Sequence, residues 1–209
     1  MRLRFKANAV PEMRESEYII FEPEKNKGSW KEVFGNNKPI HLEIGAGRGD
    51  YIVEIASRNP EINFLALEMN TNAFVVACRK IEEKQLKNVY GIVAKAEDLE
   101  DIFEKNEISK IYLNFSTPWP KRRHHKRRLS HENFLNIYRK ICKDNFEIDL
   151  KTDNEDFFDD SLNYFRNFGF KILQVDRNLA EETSIVSEYE RKFRNRNMPI
   201  YFSSVFLEK

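Results

Sequence analysis

The chain has 209 residues, 41% of them hydrophobic and 13% aromatic, with 17 Phe. That is enough apolar material for one packed domain, so disorder is excluded as the main state. Lys and Arg number 35 against 34 Asp and Glu, for a net charge of +1. On its own that near-neutral total argues against a polyanionic partner.

Nothing in the composition points to a membrane or an oxidising compartment. No run approaches ~18 consecutive apolar residues, so no membrane span is expected. The opening MRLRFKANAV lacks an apolar signal core, so no export signal is expected. Cys78 and Cys142 cannot build a disulfide framework or a thiolate metal site alone, which fits a reducing cytoplasm.

Residues 1–38 read as a basic N-terminal arm with little periodicity, and residues 39–209 as the folded domain. Ile40–Ile44 is an apolar run ending in glycines, hence a strand. Asp50–Arg58 places Tyr51, Ile52, Ile55 and Ala56 at helical spacing. Asn63–Leu67 is a second strand. Ala73, Phe74, Ala77 and Ile81 form the stripe of a second helix, with Asn70 as its cap. Val89–Val93 and Ile108–Phe115 are the third and fourth strands. Phe134, Leu135, Tyr138 and Ile141 mark a helix, Phe146–Leu150 a fifth strand, and Phe158, Leu162 and Phe165 another helix. Phe170–Val175 and Tyr201–Leu207 close the chain, one of them expected to run antiparallel at the edge. Strands alternating with helices predict an α/β fold: a doubly wound, mostly parallel, seven-stranded sheet with helices on both faces.

The first strand turns into the first helix through Glu43-Ile44-Gly45-Ala46-Gly47-Arg48-Gly49-Asp50. Glycines there permit positive φ and let a ligand approach bare backbone. The spacing lacks the sixth-position glycine of the dinucleotide fingerprint, which disfavours a pyrophosphate ligand and a nicotinamide oxidoreductase. Glu43 precedes the loop. Glu68 ends the second strand, where a carboxylate can accept hydrogen bonds from ribose hydroxyls. A nucleoside carrying a positive charge and no phosphate, such as S-adenosylmethionine, suits this set. The alternative is a tight turn beside a solvated acid.

Lys121-Arg122-Arg123-His124-His125-Lys126-Arg127-Arg128 carries six full positive charges in eight residues. It follows Asn114-Phe115-Ser116-Thr117-Pro118-Trp119-Pro120, just past the fourth strand, whose C-terminal end is expected to border the ligand crevice. Such a block predicts binding to nucleic-acid phosphates, against the alternative of a solvated surface. Removing its six charges from the total of +1 leaves −5 for the rest of the chain, so the neutral total hides a polarised distribution. Arg2, Arg4, Lys6, Arg191, Lys192, Arg194 and Arg196 are weaker candidates for the same surface. Trp119 can stack a base or anchor its loop. His124 and His125 lack metal-ligand spacing and belong with the basic run, so no metal is expected. Asp153 reads either as a substrate contact or as the N-cap of the following helix.

Taken together, these residues resemble the bacterial tRNA (guanine-N7)-methyltransferases, which are class I S-adenosylmethionine-dependent enzymes. The resemblance covers nearly the whole chain. It rests on Met1-Arg2-Leu3-Arg4, on Leu42 to Gly49, and on Leu113-Asn114-Phe115 through Pro118-Trp119-Pro120-Lys121 to Leu129. Thr152-Asp153 and Glu188-Tyr189-Glu190 with Lys192-Phe193 complete it. It implies that Glu43, Gly45, Gly47, Gly49, Glu68, Lys95, Asn114 and Thr117 line the cofactor site. It implies that Lys121, Asp153, Ser187, Glu188, Tyr189 and Glu190 contact the target nucleotide, with Thr117 and Asp153 at the reacting centre. Arg122, Arg123, His124, His125, Lys126, Arg127 and Arg128 are then RNA contacts.

Two positions depart from the family pattern. Thr117 stands where an Asp normally precedes Pro-Trp-Pro, and Ala94-Lys95 where Gly-Asp normally stands. An ammonium only donates hydrogen bonds, so Lys95 cannot accept one from an adenine amine. These departures motivate a second reading, a tRNA-binding protein of the same fold with weak or lost transfer activity. The expected target is a guanosine in the tRNA variable loop, and the expected assembly is a monomer or weak homodimer.

Overall fold

The structure, a computed structural model, describes residues 6–208. Arg2 and Arg4, and the opening motif Met1 to Arg4, lie outside the described residues. The chain divides into two compact units, one ending at Glu104 and the other beginning at Lys105.

The first unit contains α1 (Ala9–Glu15), β1 (Ile19–Ile20), α2 (Trp30–Phe34), β2 (Ile40–Ile44), α3 (Asp50–Arg58), β3 (Asn63–Leu67), α4 (Thr71–Glu83), β4 (Val89–Ile92) and α5 (Leu99–Ile102). Its strands are parallel, in the order β1-β4-β3-β2. Every residue of β3 is buried, as befits a parallel strand covered on both faces. The Asn70 side chain accepts from the backbone N–H groups of Asn72 and Ala73, so it caps α4 as its sequence position predicts.

The segment read as an arm carries structure. Met13 of α1 and Trp30 of α2 are fully buried. The Trp30 indole donates to the Ile102 carbonyl at 3.1 Å, and its ring lies 5.4 Å from Phe103. Glu12 of α1 pairs with Arg79 of α4 at 2.5 Å. Helices of seven and five residues are too short to show a period, which is why the sequence hides them. β1 brings the strand total among the described residues to eight rather than seven.

The second unit contains β5 (Ile108–Asn114), α6 (Glu132–Ile141), β6 (Cys142–Thr152), α7 (Glu155–Phe168), β7 (Lys171–Asp176), α8 (Glu188–Arg194) and β8 (Tyr201–Leu207). Its strand order is β5-β6-β8-β7. β5 and β6 are parallel, and β8 is antiparallel to both β6 and β7. The antiparallel strand is therefore inserted inside the sheet, while β7 takes the edge. Burial follows: β8 is mostly buried, whereas β7, with Lys171 and Asp176 at its ends, is mostly exposed. Phenylalanines dominate the core, with Phe157, Phe158 and Phe165 of α7 fully buried and Phe165 and Phe146 meeting Phe170 at 5.6 and 5.5 Å.

Gly49 is demanded by packing. Gly49 has φ +77°, and a Cβ there would lie 2.6 Å from the Ala77 Cβ of α4. Gly35, φ +65°, has nothing within 4 Å of such a Cβ. Both alanine variants incur left-handed strain of about 1 kcal/mol, but only Gly49→Ala adds overpacking of about 1–3 kcal/mol. Urea unfolding should therefore show Gly49→Ala clearly less stable than Gly35→Ala.

Candidate active site

In the first unit the site grows from the turn between β2 and α3. The loop amides of Gly45 and Ala46 both donate to the Leu67 carbonyl, at 2.8 and 3.1 Å. The Gly47 N–H donates to Glu68 Oε2 at 3.0 Å, and the Asn70 N–H to Glu68 Oε1 at 2.7 Å. Glu68 thus fastens the loop on one side and the start of α4 on the other. A carboxylate has about four acceptor positions, so these two bonds leave it able to accept more. Gly45 and Gly47 have φ of +85° and +57°, and the space a Gly45 Cβ would enter is open. Bare backbone therefore faces open volume at the N-terminal end of α3, where electronegative groups are favoured. Gly49 differs from its expected role, since its missing side chain admits Ala77 rather than a ligand. Glu43, next to last in β2, is a buried carboxylate, 2% exposed. Lys95 is exposed, and its backbone N–H donates to Asp98 Oδ2 at 3.2 Å where the chain leaves β4. The accessible Glu68 carboxylate beside exposed backbone, with the buried charge of Glu43 behind it, fits a cationic nucleoside such as S-adenosylmethionine.

In the second unit the loop after β5 begins at the half-buried Asn114 and carries the exposed Thr117. Phe115 and Trp119 both have positive φ, +50° and +42°, which is uncommon for bulky side chains. Arg122–Arg127 forms a 3₁₀ turn. The Trp119 ring supports that turn, with the Arg127 guanidinium 5.1 Å from its centroid and His124 edge-on at 5.7 Å. Lys121, Arg122, Arg123, Lys126 and Arg127 are exposed, and His124 and His125 are half-buried. Arg128 departs from the expected RNA-facing role. It is 2% exposed and paired with Asp160 at 2.5 Å, so phosphate cannot reach its guanidinium.

Asp153 follows β6 and is half-buried, and burial pushes its carboxyl above the usual range. It is not the helix cap. Asn154 takes that role, its side chain accepting from the Phe157 N–H at 2.8 Å. Burial raises the Tyr189 phenol, and the Asp153 charge raises it further. Tyr189 is 48% exposed, and its ring packs on Phe115 at 5.3 Å and Phe193 at 5.0 Å. Glu188 is exposed and pairs with Lys192 at 3.6 Å.

Ser187 and Glu190 each have a role in the fold. Ser187 Oγ accepts from the Glu190 N–H at 3.1 Å and caps α8. Glu190 is fully buried. Its Oε2 accepts from Lys151 Nζ at 2.6 Å, and its Oε1 from Ser184 Oγ at 2.9 Å and from Arg194 Nη2 at 2.6 Å. A carboxylate so occupied cannot read a guanine edge. Lys151 also reaches the Ile185 carbonyl at 2.9 Å. Sequence reasoning missed Lys151 and Ser184 and placed Arg194 on the surface. Lys151 falls on the polar position of the alternating run Phe146 to Lys151, so the pattern gave no signal that it is buried.

A family model described as "Putative methyltransferase" matches residues 37–203. The tRNA (guanine-N(7)-)-methyltransferase of Desulfitobacterium hafniense (strain DSM 10664 / DCB-2) is 47% identical over 205 residues, 97% of this chain and 96% of its own. The protein of the same name from Oceanobacillus iheyensis is 42% identical over 213 residues, 100% of both chains. The chain belongs to the tRNA (guanine-N7)-methyltransferase family. Among solved structures, the 16S rRNA methyltransferase KamB has a TM-score of 0.68 at 14% identity, covering 87% of this chain and 94% of its own. A SAM-dependent methyltransferase from Aquifex aeolicus has a TM-score of 0.57 at 15% identity, covering 98% and 100%. These likenesses establish the class I methyltransferase fold, in agreement with the α/β class read from the sequence.

In this member of the tRNA (guanine-N7)-methyltransferase family, the Lys151–Glu190 pair is buried within the second unit. Removing one partner of a buried pair strands the other, at about 3–5 kcal/mol. Lys151→Met should therefore lower the urea midpoint sharply. Lys192→Met, which breaks the exposed Lys192–Glu188 pair, should stay within about 1 kcal/mol of wild type.

Proposed function

We propose that the chain transfers a methyl group from S-adenosylmethionine to N7 of a guanosine in the variable loop of tRNA, acting in the cytoplasm. The observation that carries this reading is Glu68, which shapes the glycine loop through Gly47 and keeps acceptor capacity for ribose hydroxyls. Glu43 adds a buried negative charge that favours a cationic ligand nearby.

When bound, S-adenosylmethionine supplies a methyl group activated by a sulfonium. Guanine N7 has an in-plane lone pair and no proton, so no general base is required. The chain's contribution is positioning and electrostatics. Asp153 accepts hydrogen bonds from the guanine N1–H and exocyclic amine, and its negative charge favours the positive charge that builds on the purine. The exposed face of Tyr189, backed by Phe115 and Phe193, stacks the base. Thr117 supplies a hydroxyl where relatives of this pattern carry a carboxylate. Lys121, Arg122, Arg123, Lys126 and Arg127 hold the phosphates, and the rigid turn on Trp119 keeps them together. N7 in a stacked, paired guanine is poorly accessible, so the target is an unstacked loop base.

Incubating unmodified tRNA with labelled S-adenosylmethionine and mapping the label tests the reading. Label at guanine N7 of the variable loop is expected, and its absence beside an active control enzyme contradicts the proposal. Calorimetry on Glu68→Ala should show S-adenosylmethionine affinity reduced at least about tenfold, because charge-assisted hydrogen bonds are lost. Its tRNA affinity should stay within about twofold, since the phosphate contacts that dominate that affinity are untouched.

The Asp153 carboxyl also sets a pH dependence. Only its ionised form accepts both guanine hydrogens, and burial raises its pKa. The rate should therefore climb with pH through a value above that of an exposed aspartate and then level off. Asp153→Asn should abolish that acidic limb and lower kcat about 10²-fold or more, as measured in pH–rate profiles.

A further inference from the structure

The loop Phe115–Pro120 contains two bulky residues with left-handed backbone, Phe115 at φ +50° and Trp119 at φ +42°. Such conformations persist only where their surroundings over-determine them. At the first, the Phe115 N–H donates to the Lys151 carbonyl at 2.8 Å and the ring packs on Tyr189. At the second, the restraint comes from Arg128. Its Nε donates to the Pro118 carbonyl at 2.7 Å, immediately before Trp119. Its Nη1 pairs with Asp160 of α7 at 2.5 Å, and its Cζ lies 5.3 Å from the centroid of Phe157, also of α7. Its Nη2 lies 3.0 Å from His125 Nε2. A guanidinium only donates, so His125 accepts through Nε2 and carries its proton on Nδ1.

We infer that Arg128 is a positioning residue for methyl transfer rather than an RNA contact, acting with Asp160 as a strap. The strap ties the Thr117–Trp119 loop to the helix that begins just after Asp153. Three directions of the planar fork are occupied by groups from three segments: Pro118, His125 and Asp160. A lysine keeps the charge but cannot bridge all three in that plane. The strap closes on the residue that follows the exposed cations. Cations that grip phosphate and a buried cation that sets the loop are thus neighbours in one run with separable tasks. This inference rests on the proposed reaction for its kinetic consequence but not for its geometric one.

Arg128→Lys and Asp160→Asn test it, with Arg123→Ala as the phosphate-contact comparison. Both strap variants should lower kcat at least about tenfold, leave KM for tRNA within about twofold, and leave the salt dependence of tRNA binding unchanged. Arg123→Ala should reduce the slope of log K against log [salt] by about 1. The double variant should be no slower than the slower single variant, because the two residues act as one unit. The chain has two tryptophans, and Trp30 is buried, so Trp119 reports on the loop by fluorescence. Its emission should shift toward that of a solvated indole in both strap variants. Should Arg128→Lys fail to fold, Asp160→Asn carries the same test, since Asp160 is 41% exposed at the side chain. A weakened salt slope with unchanged kcat would overturn the inference by making Arg128 a phosphate contact. Wild-type kcat and wild-type emission in both variants would overturn it as well. If the wild-type protein shows no transfer to N7, the reaction assignment fails, and the Trp119 emission alone decides whether the strap exists.

Discussion

The second unit of this protein depends on charge taken out of water. Lys151, next to last in β6, has its ammonium inside the protein, where an unpaired cation is not sustainable. Glu190 answers it from α8, and Ser184 and Arg194 complete the set. A buried ion pair rarely adds net stability over apolar packing, but it requires one arrangement of its partners. Here that arrangement fixes a helix of seven residues, too short to be stable alone. Seating α8 leaves the face of Tyr189 exposed and sets Phe115 behind it. That exposed aromatic face is therefore a consequence of the buried pair.

The same division orders the rest of the second unit. Cations with internal partners hold the backbone: Arg128 on Asp160, Arg194 on Glu190, Lys151 on Glu190. The exposed ones, Lys121, Arg122, Arg123, Lys126 and Arg127, are presented on one turn braced by Trp119. Five acids between residues 153 and 160 balance much of this in the total. Net charge is thus uninformative here, and the field that an RNA meets is set by which charges are buried. In the first unit the glycine loop is held by hydrogen bonds, with Glu68 joining it to the start of α4.

Much of this was legible in the sequence. Strands such as Ile40–Ile44, Asn63–Leu67 and Tyr201–Leu207 are apolar runs whose bounds coincide with the structure, because strand periodicity and turn residues mark both ends. The glycine loop, Asn70 as a cap and the exposed basic turn were equally plain. What escaped has a common physical origin: residue type does not disclose burial or spatial order. Six cations in a run read as one surface, yet Arg128 turns inward. Glu190 reads as a ligand carboxylate, but its oxygens are already bonded. Three glycines read as one cradle, although Gly49 is required by Ala77. The insertion of β8 between β6 and β7 depends on pairing that adjacency in sequence does not record. The helices before residue 35 were too short to show a period.

Amide hydrogen exchange on Glu190→Gln tests most directly whether the buried pair seats α8. The account predicts that the amides of α8 lose protection and exchange faster than in wild type, while those of β6 and β8 retain theirs. Unchanged protection across α8 in that variant would contradict it, since the helix would then be held by something other than the charge it buries.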